Sequence, residues 1–190
     1  MTKTRTLKMV QIALIGALYT ALTLAIAPLS FQTVQFRVSE ALTLLPLFSP
    51  IGIWGVTFGC FFSNLLGFLL GTNPIGLIDA LAGTSATLLA ALITHWIGRC
   101  RFSSDEHRCR LIRTLLAPIP VVIMNALIIG MELALIFGGE PGQSFGYIFA
   151  FQAGSVALGE IVICYTLGML LCGVLYRNDL YKKFLLQPVS

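Results

Sequence analysis

The sequence predicts an all-α integral membrane protein with six transmembrane helices and both termini in the cytoplasm, and three observations lead there. Of its 190 residues, 57% are hydrophobic and 11% charged, with a mean hydropathy of +0.90, whereas soluble domains carry roughly a quarter charged residues. The apolar residues form continuous runs and not the in-out alternation of barrel strands. The basic residues collect at three places along the chain, as cytoplasmic loops collect them. A water-soluble fold is excluded, and the length allows about six spans of roughly 20 residues joined by short loops. The expectation is one transmembrane domain over residues 1–190, with no soluble domain beside it.

The first span is residues 9–28. Lys3, Arg5 and Lys8 precede it, and Ala25-Ile26-Ala27 resembles a signal-peptidase site. Pro28 follows at once and the apolar stretch exceeds a signal h-region, so the span is read as retained. The second, residues 40–48, rises only about 14 Å at α-helical pitch against about 30 Å of hydrocarbon, so it must be extended, tilted or sheltered by its neighbours. The others are residues 51–70, 77–97, 114–137 and 146–176, separated by Ser49-Pro50, by Gly71-Thr72-Asn73-Pro74, by a charged loop over 99–113 and by the glycine-rich stretch 138–142.

Charge placement tests that count. Lys3, Arg5 and Lys8 lie before the first span, Arg99, Arg101, Arg108, Arg110 and Arg113 in the middle loop, and Arg177, Lys182 and Lys183 after the last. With all three clusters inside, residues 40–97 hold one or three spans, and their length fits three. Trp54 and Trp96 then fall at inner ends, where interfacial tryptophans are common, and His95 reads as interfacial. The net charge of +4 follows this orientation, so no nucleic-acid partner is expected.

The five cysteines, Cys60, Cys100, Cys109, Cys164 and Cys172, are odd in number and mostly lie in apolar runs, so they are no disulfide framework. Cys100, His107 and Cys109 match no zinc spacing and lack a fourth ligand; neither metal nor cofactor is expected. No phosphate loop, nucleophile elbow or His-Glu-x-x-His pair is present, so neither ATP hydrolysis nor a familiar hydrolase site is written in the chain.

The informative positions are polar groups inside or at the edge of the apolar runs: Arg37, Glu40, Asn64, Asp79, Asn125, Glu132, Gln152 and Glu160. An ionisable side chain in a span costs a few kcal/mol and normally faces the bundle interior or a wet cavity. Each could instead be a polar clamp between helices. Depth separates the readings. Glu40 and Asp79 lie in the first turn from the outer end, Glu132 about 8 Å and Asn64 about 10 Å in, and Asn125 and Glu160 nearer the middle, counting about 1.5 Å per residue. Asn125 and Glu132, seven apart, share a helix face. This fits a small-solute cavity open to the outside and lined from several helices. On the first helix Ala13, Ala17, Ala21 and Ala25 recur every fourth residue, with Gly16 and Thr20 beside them, a ridge for packing inside the protein or for docking another membrane subunit.

The segment Val34-Gln35-Phe36-Arg37-Val38-Ser39-Glu40-Ala41-Leu42, followed by Leu45-Pro46, resembles the signature of the queuosine-precursor transporter (QueT) family, substrate-binding S components of energy-coupling factor (ECF) transporters. Asp79 with Gly83, the stretch Pro120-Val121-Val122-Ile123-Met124-Asn125-Ala126, Glu132 and Gly159-Glu160 are similar to it as well. The resemblance implies a six-helix S component in a bacterial plasma membrane. Its first helix would dock through Ala13, Ala17 and Ala21 on a transmembrane coupling (T) subunit, itself attached to two ABC ATPases. Substrate would enter from outside beneath the loop 29–37, and the component would topple to release it inside. The implied ligands are 7-deazaguanines, queuine or its aminomethyl or cyano precursors.

Such a ligand offers an N1–H and a 2-amino group to a carboxylate and a carbonyl to an amide or arginine. Glu40, Asp79, Glu132 or Glu160 would grip the donor edge, Asn64 or Asn125 would meet the carbonyl, and a second carboxylate would pair with an aminomethyl ammonium. Arg37 would contribute directly or hold Glu40 in place. Two other classes stay open: a self-sufficient carrier or channel whose acidic residues relay ions, and an intramembrane enzyme, for which no nucleophile–base pair is seen.

Overall fold

A computed structural model of the chain describes residues 3–30, 36–73, 75–140, 142–177 and 180–184. Every regular element among them is helical: α1 (Lys3–Ala25), α2 (Ala27–Ser30), a 3-10 helix (Val38–Leu47), α3 (Pro50–Leu69), α4 (Gly76–Arg99), α5 (Glu106–Leu116), α6 (Pro118–Phe137), α7 (Phe145–Ile163), a π turn (Cys164–Gly168), α8 (Met169–Arg177) and α9 (Leu180–Phe184). Five stretches are long and apolar enough to cross a membrane: Arg5–Ala25, Pro50–Leu69, Gly76–Arg99, Glu106–Phe137 and Phe145–Arg177.

Helix ends follow local chemistry. The Ser49 hydroxyl accepts from the Ile51 amide at 3.3 Å, with Pro50 at the first helical position of α3. Gly71 then turns the chain with a φ of +71°, a conformation glycine adopts without steric cost. Asp105 accepts from the His107 amide at 2.9 Å and starts α5. The charged stretch expected as a loop over 99–113 is therefore largely helical. This cap, with the Arg110–Glu106 pair one turn apart, starts an amphipathic helix that meets α6 at Ala117-Pro118.

The second expected span differs most. It is a 3-10 helix over Val38–Leu47, displaced slightly from 40–48, and its ten residues rise about 20 Å, still short of the hydrocarbon thickness. Shelter resolves the shortfall, since Ser39 to Leu47 are all buried. The element packs among α1, α3, α4, α7 and the π turn. His95 on α4 is correspondingly half-buried, its Nδ1 2.8 Å from the Pro46 carbonyl oxygen, so it joins α4 to the 3-10 helix and is not a simple interfacial residue. Trp54 and Trp96 are 50% and 67% exposed, as interfacial anchors would be.

Close backbone contact holds these elements together. Gly16 of α1 meets α3 at Gly55 and Gly59, and Gly98 lies so near the 3-10 helix that a Cβ on it would come within 2.2 Å of the Leu47 carbonyl oxygen. Gly98→Ala is expected to cost about 1–3 kcal/mol through forced backbone shifts, whereas Gly146→Ala, where a Cβ meets open space, leaves stability near wild type. Thermal unfolding in detergent compares the two.

Candidate functional site

α1, the 3-10 helix, α3, α4, α6 and α7 each send polar side chains into the interior. All eight positions singled out in the sequence are buried: Arg37, Glu40, Asn64, Asp79, Asn125, Glu132, Gln152 and Glu160 expose 8% or less.

Asp79, in the first turn of α4, is the hub of one half. Its Oδ2 accepts from Arg37 Nη2 at 2.9 Å and from Asn73 Nδ2 at 2.7 Å, and its main-chain oxygen accepts from Asn64 Nδ2 at 3.1 Å. Arg37 Nε donates to the Ser30 carbonyl at 3.2 Å. One carboxylate thus ties together the segments entering the 3-10 helix and α4. Gly83, one turn further, leaves room beside it, because a Cβ there would approach Asn64 Nδ2 to 2.9 Å and Asp79 Oδ1 to 3.4 Å.

Glu40 and Glu160 form the other half. The Tyr19 hydroxyl donates to Glu40 Oε1, and Asn125 Nδ2 donates to Glu160 Oε1 at 2.6 Å. The Cys164 thiol, opening the π turn, bridges the two residues at 3.7 Å from both the Glu40 carbonyl oxygen and Glu160 Oε2. π turns recur at functional sites, where the extra residue re-aims a helix face. Thr23 and Ser39 share a hydrogen bond at 2.6 Å behind Tyr19 and fix α1 to the 3-10 helix. Arg37, three residues before Glu40, enters the Asp79 half while Glu40 enters the other, so the start of the 3-10 helix joins the two halves.

Several buried atoms have no hydrogen-bond partner among the described residues: Glu40 Oε2, Asn64 Oδ1, Asp79 Oδ1, both oxygens of Glu132, Gln152 Oε1 and the Thr84 hydroxyl. Except for Thr84 these are carbonyl or carboxylate oxygens. Leaving a buried acceptor unsatisfied costs about 1–3 kcal/mol, so these oxygens are the groups of the cluster best suited to receive donors.

The structure gives these groups partners that the sequence left open. Arg37 pairs with Asp79, while Glu40 is held by Tyr19. Asn64 Nδ2 donates to the Asp79 main-chain oxygen at 3.1 Å and to Cys60 Sγ at 3.6 Å, while its Oδ1 has no hydrogen-bond partner among the described residues. Of the loop 29–37, residues 31–35 lie outside the described residues. Tyr19 and Asn73 are structural members of the cluster that sequence reasoning passed over. Tyr19 carried a signal, since Gly16, Tyr19 and Thr23 share one face of α1; Asn73 read only as part of a turn.

The alanines of α1 lie on another face. Gly16 and Tyr19 are buried, while Ala13, Ala17 and Ala21 are exposed and line a groove of about 750 Å³ with Phe58, Phe62 and Leu66 of α3. The ridge is therefore mostly outside the internal α1–α3 contact.

A family model described as "QueT transporter" matches residues 9–177. The chain is also 36% identical over 91 residues to the protein named "Queuosine precursor transporter QueT" from Lactococcus lactis subsp. cremoris (strain MG1363), an alignment covering 47% of this chain and 50% of that one. The chain thus spans about half the length of the curated relative it matches. No solved structure matches it.

Proposed function

Because the chain belongs to the QueT transporter family, a family of membrane transporters, we propose that it is the substrate-binding component of an energy-coupling factor importer for a queuosine precursor of the 7-deazaguanine class. In this reading it is a single transmembrane unit with six membrane-inserted elements, the 3-10 helix being the sixth. Both termini lie in the cytoplasm of a bacterial plasma membrane. The chain is not an enzyme, and ATP is hydrolysed by two partner ATPases joined to it through a transmembrane coupling subunit.

The observation that carries the reading is the buried set of acceptors without a partner among the described residues, on Glu40, Asn64, Asp79, Glu132 and Gln152. A 7-deazaguanine presents N–H donors along its guanine-like edge, and carboxylates receive such donors in paired, charge-assisted hydrogen bonds. Glu40 is the carboxylate for that edge, because Tyr19 orients it through Oε1 while its Oε2 has no partner among the described residues. Glu160, held by Asn125 and linked to Glu40 through Cys164, lines the site beside it. Arg37 and Asn64 shape the site through Asp79.

The exposed Ala13, Ala17 and Ala21 support docking to the coupling subunit, since small residues let helix backbones approach closely. Ala17→Trp fills that groove on the exposed face of α1, not the buried face that carries Tyr19. It is expected to leave ligand affinity unchanged while abolishing uptake by the reconstituted complex, and equilibrium titration beside radiolabelled uptake reads both. Vesicles test the proposal as a whole. Those containing this chain alone bind substrate without sustained accumulation, and transport appears when the coupling subunit and ATPases are added with ATP. Gradient-driven accumulation by the lone chain would mark it as a self-sufficient carrier.

A further inference from the structure

We infer that Glu132 is a specificity residue that pairs with a cationic amine on the ligand, so that the site selects the aminomethyl form of a 7-deazaguanine over the cyano form. This rests on the binding reading above and names the end of the ligand that the reading leaves open.

The inference stands on three observations. Glu132 is 6% exposed on α6, and neither of its carboxylate oxygens has a hydrogen-bond partner among the described residues. Each of the other three carboxylates is engaged through at least one oxygen: Glu40 by Tyr19, Asp79 by Arg37 and Asn73, Glu160 by Asn125. The cluster also holds four carboxylates against one cation among its described side chains, and that cation, Arg37, is ion-paired with Asp79 at 2.9 Å. A buried carboxylate without a counter-charge is costly, and an ammonium brought by the ligand would relieve that cost.

Position adds direction. Glu132 lies seven residues from Asn125 on α6, about 10 Å along the helix axis. The Asn125–Glu160 pair therefore marks one level of the site and Glu132 another. A 7-deazaguanine carries its 2-amino edge and its C7 substituent at opposite ends of the ring system. With the guanine-like edge on Glu40, beside Glu160, the substituent would reach the level of Glu132. An aminomethyl ammonium there donates hydrogen bonds to a carboxylate that has none among the described residues, whereas a nitrile is itself an acceptor and offers a carboxylate nothing. No bond is made or broken; recognition is by charge and hydrogen bonding alone.

The test is calorimetric titration of the purified full chain with the aminomethyl and cyano 7-deazaguanines, in wild type and in Glu132→Gln. Wild type is expected to prefer the aminomethyl form by roughly tenfold or more, as a charge-assisted pair predicts. Glu132→Gln is expected to erase most of that preference by weakening the aminomethyl form alone. Equal binding of the two forms by wild type, or an equal loss for both in the variant, overturns the inference and leaves the proposed function standing. Binding of neither form by wild type removes the proposed function and the inference together.

Discussion

Asp79→Ala is expected to lower the stability of the detergent-solubilised protein by about 3–5 kcal/mol, the cost of breaking a buried ion pair by removing one partner. The size follows from what the Asp79 side chain does: its Oδ2 receives both Arg37 and Asn73. Truncation strands the Arg37 guanidinium, 4% exposed, without its carboxylate and detaches the segment before the 3-10 helix from the start of α4. Asp79→Asn keeps the shape and an acceptor but not the charge, and should lose less. Arg37→Met combined with Asp79→Ala should recover part of the loss, since no charge is then left unpaired. Thermal unfolding of the four proteins reads this directly; an Asp79→Ala transition within a degree or two of wild type would show that the pair is not a structural clasp.

The second large effect is on binding. Glu40→Gln keeps the volume of a side chain only 2% exposed but places an amide where the Tyr19 hydroxyl now donates to a carboxylate oxygen. If Glu40 Oε2 receives a ligand N–H, removing its charge costs about 1.5–3 kcal/mol, or roughly 10- to 150-fold in Kd. Tyr19→Phe separates orientation from contact. It removes only the donor that positions Glu40, and its loss of affinity should be smaller than that of Glu40→Gln. Titration of both variants with one 7-deazaguanine gives the ratio, and equal losses would mean that Glu40 acts only through its tie to Tyr19.

Much of this architecture was legible in the sequence because the bilayer limits what a chain can do. Long apolar runs bounded by Pro50, Gly71 and Gly138 had to be helices. The polar residues within them were few enough to single out, and each of them is buried. Which partner each would take was less accessible. Arg37 and Glu40 are three residues apart and invite pairing, yet Arg37 reaches Asp79, 42 positions away, while Tyr19 comes across from α1 to meet Glu40. Such contacts are fixed by how α1, the 3-10 helix and α4 cross, which no local pattern encodes. The 3-10 winding of Val38–Leu47 was hidden for a related reason, since a short apolar segment shows its length deficit but not how its neighbours shelter it. The π turn at Cys164–Gly168 interrupts an apolar run without any proline to announce it. The charged stretch before α6 looked like a loop because its apolar face is narrow, and the Asp105 cap that starts α5 weighs little against five arginines.

The claim that this buried acceptor cluster is the ligand site is tested most directly by titrating the purified protein, and its Glu40→Gln, Asp79→Asn, Glu132→Gln and Glu160→Gln variants, with the aminomethyl 7-deazaguanine. Saturable binding by wild type, weakened about tenfold or more in Glu40→Gln and Glu132→Gln, is the predicted result. Near-unchanged affinity in all four variants would contradict it.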